Sequence, residues 1–153
     1  MQGSGGGNAR RAGAAGSRPK ACPALGVWRR CDPGDIAPAT VAEVERSVAG
    51  AALLLHHPRW PEALRGDPAA TVAAAVDVLR RHPPGTAAAD LAMSGLLVHA
   101  ARGDAAAALV LAHGLAALAR RHPRPGALLD RAARWAPRWP GRPRGRPMPP
   151  ERG

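Results

Sequence analysis

The chain is 153 residues long, enough for one domain and too short for two ordinary ones. It holds 18 Gly and 17 Pro, no Phe and no Tyr, and Lys20 is the sole lysine among 22 basic residues, a bias of the kind that GC-rich coding imposes. The net charge of +11 is concentrated on the ends: residues 1–37 and 136–153 carry +4 each, and residues 38–135 carry +3. Mobile basic ends favour polyanions through counterion release. The longest apolar run, Ala105 to Ala119, contains His113 and falls short of the ~20 residues that cross a bilayer, so no membrane span is expected.

Residues 1–37 are rich in Gly, Ala, Arg and Pro and show no period. They read as a disordered basic N-terminal arm, in which only Trp28 and Ile36 are suited to dock locally. No apolar core of a secretory signal follows Arg10 and Arg11, which points to a soluble, cytoplasmic protein. The two cysteines, Cys22 and Cys31, match no zinc spacing and read as free thiols.

Residues 38–135 behave differently. Thr40-Val41-Ala42-Glu43 has the pattern of a capping box, and Val41, Val44, Val48, Ala51, Ala52 and Leu55 line one face of a helix that His57-Pro58 would end. A short helical turn follows from Pro61 to Arg65. Asp67-Pro68 then supplies a cap and a first-position proline for a helix with Val72, Ala75, Val76 and Leu79 on its stripe, closed at His82-Pro83.

Thr86 caps a helix running to about Arg102. Leu91, Gly95 and Val98 share one face while Met93, Leu96 and Leu97 cover the other, the signature of a central, enclosed helix. Gly103-Asp104 ends it and caps the next, on which Ala108, Leu111, Ala112, Leu115, Leu118 and Ala119 align up to His122-Pro123. A last helix spans about Gly126 to Trp135. Caps, stripes and breakers fall in phase, which a chance GC-rich reading frame would not produce. The expected fold is all-α: about five short antiparallel helices, arranged as a bundle or a helical-hairpin repeat, with disordered basic termini.

Two short repeats run through this region. Gly66-Asp67 recurs as Gly103-Asp104, 37 residues on, and Arg80-Arg81-His82-Pro83 recurs as Arg120-Arg121-His122-Pro123, 40 residues on. Over 66–123 the pattern resembles tetratricopeptide-like helical hairpins, which stack into peptide-binding grooves. Gly66, Thr71, Ala75, Val78 and Pro83 match that spacing. The second copy is three residues too long, and the Trp and Tyr positions of that family are unfilled. The resemblance implies a groove between residues 68 and 122.

The C-terminal stretch 136–153 reads as a disordered Pro/Arg/Gly-rich tail. Its Arg142-Pro143-Arg144-Gly145-Arg146-Pro147 segment resembles the core of an AT-hook, which lies in the minor groove of A·T-rich DNA. By that resemblance Arg144 and Arg146 enter the groove on either side of Gly145, Pro143 and Pro147 steer the chain along its walls, and Arg142 contacts phosphate. The basic residues usual after such a core are replaced by Met148, Pro149, Pro150 and Glu151.

Catalytic and cofactor chemistry finds no footing. His57, His82 and His122 read as helix-end residues that complement the dipole. Ser94 and His99 lie about 140° apart on one helix and cannot join Asp90 in a triad. No phosphate loop, dinucleotide fingerprint or metal-ligand cluster is present in the sequence. The sequence therefore points to a non-enzymatic helical interaction or accessory protein without cofactor. Its basic arms suit DNA or another polyanion, and the alternative is a protein-binding helical-hairpin module with a partner on the helical domain. Oligomeric state has no signature in the sequence.

Overall fold

Three acidic or hydroxyl side chains start three helices where the sequence places them. The Asp67 carboxylate accepts hydrogen bonds from the amides of Ala69 and Ala70 at 2.8 and 3.1 Å. The Asp104 carboxylate accepts from the Ala107 amide at 2.7 Å, and the Thr86 hydroxyl from the Ala89 amide at 3.4 Å. Each satisfies amides that the first turn of a helix leaves unpaired, worth about 1 kcal/mol apiece.

The structure is a computed structural model that describes residues 23–52 and 55–137, and among these all regular structure is helical. A 3-10 segment, Pro23–Arg29, precedes α1 (Pro38–Gly50), α2 (Trp60–Leu64), α3 (Pro68–Arg81), α4 (Ala87–Ala101), α5 (Ala105–Ala119) and α6 (Gly126–Trp135). The all-α class and the succession of short antiparallel helices are as the sequence reads. Residues 1–22 and 138–153 lie outside the described residues, and with them Cys22 and the whole Arg142–Pro147 segment.

The first helix departs from its reading. It begins at Pro38, with Ala37 in the cap position and no side-chain cap, so Thr40 sits inside the first turn rather than before it. Proline is preset for the first helical position and lacks an amide that would go unpaired there, which moves the start ahead of the capping-box pattern. The helix also ends at Gly50, well before His57-Pro58. Gly50 is the poorest helix former of that run.

At the centre lies α4. Every residue from Leu91 to Ala100 is buried, and the helix packs against α1, α3, α5 and the 3-10 segment. Its small residues allow close approach. A Cβ on Gly95 would stand 3.3 Å from Cγ2 of Thr71 and 3.6 Å from Cη2 of Trp60, so α3 and the buried Trp60 of α2 come close to its backbone there.

Residues 23–37, grouped with the N-terminal arm on composition, are instead packed against the helices. Trp28 is fully buried, and its indole N–H donates to the Asp90 carboxylate at 3.2 Å. Arg29 pairs with the same carboxylate. The Ser94 hydroxyl lies 2.8 Å from the Leu25 carbonyl. Further along, Asp32 accepts from Arg131 at 3.0 Å and from Arg134 at 3.1 Å, and the Trp135 indole N–H donates to the Cys31 carbonyl at 3.0 Å. The segment is thus a strap running from α4 to α6. Its stabilising partners are distant in sequence, so no local period announces it.

This arrangement predicts that Trp28→Ala lowers the stability of the whole domain by about 3–5 kcal/mol, the usual range for deleting a buried tryptophan side chain. Urea denaturation followed by circular dichroism measures it. An unchanged midpoint would mean that the strap is not part of the folded body.

Candidate functional site

Helices α3 and α5 run in the same direction, both packed on α4 and against each other, so their C-terminal ends emerge together. Those ends carry the two Arg-Arg-His-Pro copies. They enclose a cleft of about 330 Å³ lined by Arg80, Arg81, His82, His113, Arg120 and Arg121, with Leu79 and Ala117 as its apolar surface. The sequence shows the motif as a repeat, not as a site. The signal was its 40-residue period with one intervening helix, which returns the second copy to the end of the body where the first stands.

The electrostatics of this cleft are lopsided. Its lining holds no carboxylate; Asp77 stands outside it, 3.7 Å from Arg80 and 3.8 Å from Arg81. The hydrogen bond from His57, followed by the Arg81 and Arg80 charges, holds the Asp77 carboxyl below its ordinary range. Arg120 and Arg121 make no ion pair among the described residues. Arg80 and Arg81 keep 76% and 61% of their side-chain surface exposed, so their guanidinium groups are available to a ligand.

A shallow apolar trough continues from the cleft between α3 and α5. It is lined by Val76, Leu79, Leu109 and Val110, and Leu109 is about half exposed. The lining residues of the trough and of the cleft all fall within residues 68–122.

The histidines take several roles. His57 is not at the end of a helix: it is buried, accepts from the Arg59 amide at Nδ1 and lies 3.2 Å from the Asp77 carboxylate at Nε2. With α1 ending at Gly50, His57 has no dipole to complement and bonds a carboxylate instead. His99, read as a flank residue, is buried in a second, small cavity beside Trp60, Gly95 and Thr71. The Thr71 hydroxyl donates to the Asp67 carbonyl at 2.9 Å, so its oxygen accepts from His99 Nε2–H at 3.2 Å.

The three residues of the rejected triad stand apart. Asp90 faces Trp28 and Arg29, Ser94 faces the Leu25 carbonyl, and His99 faces Thr71. Among the described residues no three His, Cys, Asp or Glu side chains gather closely enough to hold a metal ion. Nor is any described helix long and apolar enough to cross a membrane. Cys31 is half-buried, and burial pushes its thiol up from the ordinary value. The expected tail residues Arg142, Pro143, Arg144, Gly145, Arg146 and Pro147 lie outside the described residues.

No protein-family model matches the chain, and neither a curated protein nor a solved structure matches it.

One pH dependence follows from His99. Burial, then the Arg102 charge, depresses its imidazole below the ordinary value, while the Asp104, Glu45 and Asp67 carboxylates oppose the shift. The unfolded chain therefore takes up this proton more readily than the folded one. Stability is whole above the ordinary histidine value of about 6.5 and falls as the pH drops below it toward the depressed folded value. Thermal midpoints between pH 7.5 and 5.5 should fall for the native chain and fall less for His99→Gln, whose amide can still donate to Thr71. Parallel curves would remove His99 as the cause.

Proposed function

We propose that the protein is a non-enzymatic helical accessory protein that binds nucleic acid electrostatically, chiefly through basic arms. The observation that carries this reading is the separation of charge. The described residues hold thirteen arginines against ten acids, and several of those acids are already engaged within the fold: Asp90 by Arg29, Asp32 by Arg131 and Arg134, Glu45 by Arg102. Residues 1–22 and 138–153 carry +4 each. Eight of the eleven net charges are thus carried by residues outside the described body.

In this reading the protein works in the cytoplasm, with Cys22 and Cys31 reduced, and needs no cofactor. Arg144 and Arg146 enter a narrow minor groove beside Gly145, guided by Pro143 and Pro147, with Arg142 on phosphate. An Arg144→Ala/Arg146→Ala variant should lose its preference for A·T-rich over G·C-rich duplex in a titration at fixed salt. Equal binding of both duplexes by the native chain, unchanged in the variant, would reduce the tail to a source of charge.

The trough between α3 and α5 favours a second reading, a protein-binding module whose occupant is an amphipathic segment with an acidic end. Its apolar residues would lie on Val76, Leu79, Leu109 and Val110 and its acids would reach the cleft arginines. Capture of a protein partner that survives nuclease treatment and is lost in Leu109→Asp supports this reading. Capture abolished by nuclease supports the first.

A further inference from the structure

We propose that the paired Arg-Arg-His-Pro turns form a binding site of their own for closely spaced phosphates, the backbone of a nucleic acid or a free oligophosphate. This deepens the nucleic-acid reading by moving a contact from the arms to the folded body, and it rests on that reading only for the choice between the two sources.

Like charges crowd this cleft. Four arginines from two turns line it, and Asp77, outside the lining, pairs with two of them, Arg80 and Arg81. Basic residues at helix C-termini have an ordinary structural use, because each helix end carries roughly half a negative charge. Two helix ends and Asp77 together offset about two of the four charges. An excess of about two positive charges is left within one cleft, more than the helix dipoles require. Like charges held close cost stability, and an anion bound between them relieves that cost.

The chemistry of the lining narrows the ligand. Guanidinium presents its N–H groups as a planar fork that matches phosphate oxygens two at a time. His82 and His113 add ring nitrogens at the cleft surface, and no carboxylate lines it. The volume, about 330 Å³, lies at the small end of the ligand-cleft range of about 300–1,000 Å³. Pro83 and Pro84 are part of the wall and Pro123 closes the second copy, so the turns carrying the arginines are stiff before the ligand arrives. Each copy alone would be a pair of solvated arginines. The site exists because α4 separates the copies in sequence and rejoins them in space.

The test uses the full chain and two probes, inorganic tripolyphosphate and a mixed-sequence DNA duplex, followed by calorimetry and fluorescence anisotropy. Arg120→Gln/Arg121→Gln should weaken tripolyphosphate binding by roughly tenfold or more, as losing two charge-assisted pairs implies. Arg142→Gln/Arg144→Gln/Arg146→Gln should change it less than about twofold, because the described lining supplies the site by itself. Asp77→Asn, which removes the opposing carboxylate and leaves an oxygen for His57, should tighten it. For the duplex, the cleft variant should lower the salt slope by about two. Circular dichroism checks that each variant keeps the native melt.

Absence of saturable tripolyphosphate binding, or equal weakening by the cleft and tail variants, would overturn the site. Duplex binding that depends on the tail but not the cleft overturns it too and leaves the arm reading standing. Tripolyphosphate held at the cleft with no duplex bound sustains the site, assigns it to free oligophosphate and removes the nucleic-acid reading.

Discussion

Everything in this fold answers to a helix without a polar face. From Leu91 to Ala100, α4 shows no side to water. A helix that is apolar all round is stable only when enclosed, and no single neighbour can enclose it. Helices α1, α3 and α5 take three of its flanks, and the strap made by residues 23–37 takes another. The enclosing surfaces are mostly Ala, Val and Leu, so the core gains its density from close approach rather than from bulky side chains. Gly114 is a second instance beside Gly95: a Cβ there would overlap the buried Met93 side chain. Three of the larger side chains in the core, Trp28, Trp60 and Trp135, belong to peripheral elements and anchor the enclosing parts to the centre.

This division explains what could be read from the sequence and what could not. The central helices announced themselves because their determinants are local: Asp67, Thr86 and Asp104 cap the residues that follow them within three positions, and most of the α5 stripe is buried. The face of α3 is turned from its expected stripe: Ala70, Thr71, Ala74, Ala75 and Val78 are buried, while Val72, Val76 and Leu79 are only partly so, because Val76 and Leu79 line the trough beside α5. The strap was hidden because its determinants are remote. Trp28 gains its meaning from Asp90, Cys31 from Trp135, and Asp32 from Arg134, at separations of 62, 104 and 102 residues. Compositional reading sees Gly, Pro and Arg there and infers a solvated chain. The start of α1 was misread for a smaller reason: Ala37-Pro38 and Thr40 both offer a beginning, and proline at the first position prevailed.

The candidate site follows the same rule. Each Arg-Arg-His-Pro copy is visible as a string, but a cleft is a relation between two strings, and the relation depends on the hairpins formed by α3, α4 and α5. His99 is a parallel case. Its helix position was legible, yet its burial depends on Trp60 and Thr71, which come from two other helices. Charge, by contrast, needed no structure to be located on the ends of the chain. What the structure adds is that the body uses many of its acids internally and leaves a basic excess at one rim.

The strap has a consequence for how the chain reaches this state. Its bonds to α6 join residues near 31 to residues near 134, so they close only after nearly all of the described chain is present. On a ribosome delivering about 5–20 residues per second, Trp28 would wait several seconds for Asp90 to appear and longer for α6 to complete the enclosure. Between the appearance of α4 and the docking of α6, the strap lies over one flank of α4 and is held from the α4 side only. The last loop to close is also the longest, and long-range closure is the slow part of folding. The nascent chain is therefore at its most adhesive just before α6 emerges, when the strap is not yet held at its far end and a chaperone would find its hold on the flank of α4 beneath it.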